Sequence, residues 1–224
     1  MTSIQVRRGA LVSFMTCVAL PCLAAQAGHN WESCGFPSYG GTYRPREIKS
    51  LDELPIPIHQ LLTQHVSARV GPTFFDDITF DRGQVVSVNE LHRVYPESKH
   101  FEWQVPTYNL LFQLRLPGRE IFLACISLDD KGGVIQELSL PQWGRMQKPA
   151  PLISLAEATE IARRHGVVLS AAPSELKYFP DTDTLEWIFE WKTWDNGLSF
   201  GGKRLHVPIQ PPNEVHWSPW EGIR

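Results

Sequence analysis

Three side chains able to ligate a metal or move protons, His92, Glu97 and His100, fall within one short stretch of this sequence. Two imidazoles and a carboxylate are a donor set that catalytic zinc accepts, provided that rigid elements hold them. The stretch from Asn89 to Thr107 carries no clear helix or strand pattern, so a solvated loop is the simpler expectation and the sequence assigns no metal or cofactor. His59 and His65 lie six apart on an expected helix and cannot face the same way. Asp76-Asp77, Asp81 and Asp129-Asp130 invite a general acid/base reading, because paired carboxylates can hold different pKa values. Each lies beside a glycine or at a strand edge, where turn geometry alone favours aspartate, so no catalytic residue is assigned.

The wider sequence narrows the function classes. No Gly-x-Ser-x-Gly elbow, His-Glu-x-x-His helix, Cys-x-x-Cys pair or phosphate-binding Gly-Lys-Ser/Thr loop occurs. With 21 basic against 24 acidic residues there is no surplus of positive charge for nucleic acid. Eight Trp, 11 Phe and 5 Tyr in 224 residues are ample for a packed core.

Residues 1–27 read as a signal peptide. Arg7 and Arg8 form the positive end, Ala10 to Ala24 is largely apolar, and Ala25-Gln26-Ala27 fits a cleavage site. The expected location is therefore the periplasm or the exterior, with no membrane span in the processed chain. Cys17 and Cys22 would leave with the signal. The remaining cysteines, Cys34 and Cys125, are expected to form a disulfide, since an exported chain with two cysteines most often pairs them.

Residues 28–49, rich in Gly, Pro and aromatics, read as an irregular N-terminal arm. Two α+β units follow, at 50–141 and 152–224, with a Pro- and Gly-containing connection from Gln142 to Pro151. In the first, a helix from Pro57 to Arg69 is stopped by Gly71-Pro72. Strands follow at Ile78–Phe80 and Val85–Val88 around an Asp81-Arg82-Gly83 turn, then at Tyr108–Leu116, Ile121–Leu128 and Val134–Leu138. In the second, Ser154 and Glu157 form a capping box for a helix closed by Gly166, and Leu155, Ala158, Ile161, Ala162 and His165 make its stripe. Strands are expected at Leu176–Phe179, Leu185–Trp194, Lys203–Ile209 and Glu214–Trp217. Alternation through Leu185, Trp187, Phe189 and Trp191 against Glu186, Glu190 and Lys192 indicates a sheet covered on one face. Units of this size bury limited area alone, so the pair stands either as separate domains or fused across a shared seam.

The run Ile153-Ser154-Leu155-Ala156-Glu157-Ala158-Thr159-Glu160-Ile161-Ala162 resembles the opening helix of a PepSY domain, and Trp187 after the acidic turn Asp181-Thr182-Asp183 is also similar to that family. Ile126 to Ile135, with Asp129, Asp130, Gly132 and Gly133, resembles the family's closing hairpin. The resemblance spans most of 152–217 and, more loosely, 56–138. It implies a small PepSY/cystatin-like binding or inhibitory module, often exported and without catalytic residues of its own. The expected partner is a protein or peptide in the cell envelope, and an exposed sheet edge is one way to hold it. The alternative is an envelope hydrolase or metal-dependent enzyme using the loop around His92, Glu97 and His100. Trp194, Phe200, Trp217 and Trp220, with Tyr178, are expected to close the second core or the seam rather than to form a stacking platform.

Overall fold

The computed structural model describes residues 43–100, 104–147, 149–169, 174–195, 197–210 and 214–223. The expected signal peptide, most of the N-terminal arm and Cys34 lie outside these residues. The described residues are α+β, with two antiparallel sheets and three α-helices. The first sheet has the order β1 (Arg46–Ile48), β2 (Ile78–Val85), β3 (Tyr108–Arg115), β4 (Ile121–Leu128) and β5 (Val134–Gln136). The second runs β6 (Ser174–Phe179), β7 (Thr184–Asp195), β8 (Ser199–Pro208) and β9 (His216–Ile223). Helix α1 (Ile56–Phe75) precedes β2, α2 (Val88–Val94) follows it, and α3 (Leu155–Arg164) opens the second unit. No helix among the described residues is long and apolar enough to cross a membrane.

Several local expectations change in the structure. The helix does not stop at Gly71: Gly71 takes φ +72°, a conformation glycine adopts freely, and Pro72 starts one further turn that carries Phe74 inward. No turn forms at Asp81-Arg82-Gly83. The register shifts between Phe80 and Arg82, so Asp81 is the extra residue of a bulge and accepts a hydrogen bond from Gln113 Nε2 at 2.5 Å. The end of the supposed arm is also strand. Arg46, Glu47 and Ile48 pair with Val85, Gln84 and Gly83, and Ile48 is fully buried. The segment from Asn89 contains α2 and a 3-10 turn at Pro96–His100 instead of plain loop. In α3 the capping box between Ser154 and Glu157 is present and Gly166 takes φ +87°, but His165 points to solvent. The bonds from Ser154 hold the Glu157 carboxyl below its ordinary range.

The apolar faces of both sheets meet in one core. Ile58, Leu62, Val66, Val70 and Phe74 of α1 cluster with Leu110, Phe112, Leu114, Phe122, Ala124 and Ile126. The same cluster continues through Leu140, Trp143 and Leu152 to Ala158, Ala162, Trp187, Phe189, Leu205 and Val207. The connection between the units is thus part of the core. Trp143 is 2% exposed and its ring lies 4.6 Å from that of Phe74. Gly144 allows this approach, because a Cβ there would stand 2.0 Å from the Ala68 carbonyl oxygen.

Arg69 ties the seam. Its side chain is 5% exposed; Nε donates to the Leu140 carbonyl at 2.6 Å, and one terminal nitrogen donates to Tyr178 Oη at 2.9 Å and Asp183 Oδ1 at 3.2 Å. The other lies 3.7 Å from Glu137, whose second oxygen is 2.5 Å from His65 Nε2. Asp183 also accepts from Tyr178 at 2.8 Å and from the Gln142 backbone N–H at 2.9 Å. One buried cation therefore joins α1, the connection, β6 and the β6–β7 turn.

Two predictions come from this network. Arg69→Met should lower the unfolding free energy by about 2–3 kcal/mol in urea titration, since partners of a charged, buried donor are left unsatisfied. Burial, and the bond to Asp183, push the Tyr178 hydroxyl up to about 12 from an ordinary 10.0. A raised folded-state pKa means that this contribution is complete below the unfolded value and is lost as pH rises from about 10 to about 12. Urea midpoints measured across that window should fall further for the native sequence than for Tyr178→Phe.

Candidate functional site

Strand alternation and antiparallel register place a polar constellation on the face of the second sheet turned away from the core. Leu185, Trp187 and Phe189 of β7 enter the core with Leu205 and Val207 of β8, so Glu186, Ile188, Glu190 and Lys192 face outward. Ile188 stands opposite His206, and Glu190 opposite Arg204. One strand further, His206 stands opposite His216 and Arg204 opposite Ser218. Side chains distant in sequence thus share one patch across three neighbouring strands.

His206 is the centre of that patch and is 7% exposed. Its Nδ1 lies 2.8 Å from Glu186 Oε2 and its Nε2 lies 2.7 Å from Ser218 Oγ. Thr184 Oγ1 donates to the other Glu186 oxygen at 2.9 Å, which fixes the buried carboxylate. The exposed ring of His216 stacks on His206 at 4.4 Å with 15° between planes, and its Nδ1 is 3.4 Å from the Glu214 carbonyl. Phe179 packs on His206 at 5.4 Å. The order carboxylate, imidazole, hydroxyl is that of a serine-hydrolase relay, but there the serine sits on a sharp turn, whereas Ser218 lies within extended β9.

Toward the far end of the same strands the surface becomes aromatic. The Phe200 and Trp220 rings meet edge to face at 5.6 Å. Lys192 Nζ lies 5.0 Å from the Phe200 centroid, and the Arg204 guanidinium lies 5.4 Å from the Trp220 centroid. Arg204 Nε also donates to Glu190 at 2.5 Å, and Lys192 pairs with Asp195. Trp194 and Trp217, opposite Gly201 and Leu205, lie at the same end but on the other face of the sheet, are each 40% exposed and belong to none of the buried clusters. The expectation that these aromatics close the core is therefore corrected for Trp194, Phe200, Trp217 and Trp220. Tyr178 alone among them packs on the core and serves the seam.

The other candidates named from sequence lie elsewhere. His92 on α2 lines an open cavity of about 590 Å³ with Lys99, Asp129 and Asp130. Glu97 and His100 are exposed on the 3-10 turn. Among the described residues, the metal-ligating group whose donor atoms all lie within 4.8 Å of one another is Glu186, His206 and His216, not the His92 loop. Asp129 has a turn role, its carboxylate accepting the Lys131 and Gly133 backbone N–H groups at 2.9 and 2.7 Å. Glu186, His206 and His216 escaped the sequence reading because 20 and 10 residues separate them; the outward phase of Glu186 in β7 was the one signal available.

Comparison with protein-family models, with curated proteins and with solved structures gives no match.

Cys125 lies on the face of β4 turned from α1, beside Leu111 and Leu123, and its backbone N–H donates to Ser139 Oγ at 2.9 Å. Its expected partner Cys34 is outside the described residues. The bridge would close a loop of about 90 residues and stabilise the fold by roughly 4 kcal/mol. Intact-mass analysis of the chain without residues 1–27 should show no alkylation before reduction and two labels after it; labelling of both thiols before reduction would refute the bridge.

Proposed function

We propose that this chain is an exported binding or inhibitory module, periplasmic or secreted and PepSY-like in kind, that holds a protein or peptide partner at the aromatic end of its second sheet. The observation that carries the reading is the position of Trp194, Phe200, Trp217 and Trp220 outside the buried clusters at one end of the sheet, Phe200 and Trp220 packed with Lys192 and Arg204 on one face and Trp194 and Trp217 exposed on the other. Tryptophan and arginine are the residues most often found to dominate protein interfaces, because they offer large, stiff contact areas. β9 forms one edge of its sheet, so an extended segment could add to it through main-chain hydrogen bonds while its side chains meet the aromatics. Pro219 within β9 removes one donor and limits the register such a segment can take.

The test is a comparative capture from envelope extract. The native chain should retain a partner that the double variant Trp194→Ala/Trp217→Ala loses, with the thermal unfolding temperature nearly unchanged because both side chains lie outside the buried clusters. Equal recovery by the two proteins would contradict this placement of the site.

A further inference from the structure

We propose that Glu186, His206 and His216 bind one divalent transition-metal ion of the zinc class, with the remaining coordination position open to solvent. This goes beyond the partner-binding reading and does not depend on it. The donor set is two imidazoles and one carboxylate, the type used where zinc keeps an exchangeable position. The three donor atoms already lie within 4.8 Å of one another, and the exposed ring of His216 is the one that must turn to complete the set.

The two buried ligands, Glu186 and His206, each have their remaining polar atom held by a further group, which is the feature that separates a built site from a chance cluster. Thr184 occupies Glu186 Oε1 and leaves Oε2 toward His206. Ser218 stands 2.7 Å from His206 Nε2. The exposed ring of His216 has only the long 3.4 Å contact from Nδ1 to the Glu214 carbonyl and is the ligand free to turn toward the ion. A metal at His206 Nδ1 displaces the proton shared there with Glu186; the proton passes to Nε2, and the Ser218 hydroxyl turns from donor to acceptor. No proton is lost and no buried group is left unpaired.

The charges nearby allow a cation. Lys177 stands opposite Glu186 on β6, but its Nζ extends over the Phe179 ring at 5.9 Å, and Arg204 is committed to Glu190 and Trp220. A dication beside one carboxylate and two neutral imidazoles leaves the site with a single positive charge, which an anionic or carbonyl ligand in the open position would meet.

The experiment uses the full chain without a histidine tag, stripped with chelator and dialysed against zinc chloride, with metal per chain measured by mass spectrometry. Cobalt substitution provides an absorption signature of four-coordinate geometry. The native chain and a His92→Ala/His100→Ala control should each retain one zinc. His216→Ala, at an exposed position, and the isosteric Glu186→Gln should lose it while keeping the native circular dichroism. Ser218→Ala should weaken binding by about 10- to 100-fold. No retained zinc, retention undiminished in His216→Ala, or loss in the His92/His100 control would each overturn the proposal.

Discussion

Arg69 occupies a position where a charge is tolerated only if every direction around it is satisfied, and the geometry of the seam follows from that demand. Moving a guanidinium out of water costs several kcal/mol unless hydrogen bonds replace its hydration. The replacements come from three segments: the Leu140 carbonyl and, at longer range, the Glu137 carboxylate after β5, the hydroxyl of Tyr178 in β6, and the carboxylate of Asp183 in the β6–β7 turn. None is near Arg69 in sequence. The chain must therefore bring the connection and the β6–β7 turn against α1 before the cation is content, and the packing of Phe74 on Trp143 seals the same junction with apolar area.

Fusing the units in this way decides which surfaces remain free. Each sheet gives its apolar face to the common core, so the outward face of the second sheet is left to carry polar and aromatic side chains. Its buried histidine is held from both ring nitrogens, and the aromatic end of β7, β8 and β9 extends beyond the buried cluster. The rigid part of the molecule thus presents two kinds of chemistry side by side: an oriented imidazole–carboxylate pair and an open aromatic–cation surface.

Features with a local cause were legible in the sequence. The Ser154/Glu157 box and Gly166 act through neighbours in the chain and are found where the pattern places them; the alternation of β7 puts Leu185, Trp187 and Phe189 on the core side as expected, but Glu186 and Ile188 on the other face are buried as well. Features decided by remote contacts were not. Arg69 reads as an ordinary last residue of a helix, and only the approach of Tyr178 and Asp183 makes it a seam residue. Gly71-Pro72 reads as a stop, yet the close contact with Gly144 rewards carrying the chain on to Phe74. Asp81-Arg82-Gly83 has turn composition, but pairing with β3 on one side and β1 on the other favours a bulged strand. The Glu186, His206 and His216 group required the strand order of the second sheet, which no periodicity encodes.

The central claim is that the two sheets form one cooperative structure joined at Arg69. Native-state hydrogen exchange resolves this directly, because amides that open only in global unfolding share one free energy. The account predicts that the slowest amides of β3 and β4 and those of β7 and β8 exchange with the same opening free energy and the same denaturant dependence. A second sheet that opened at a clearly lower free energy while the first stayed protected would contradict it.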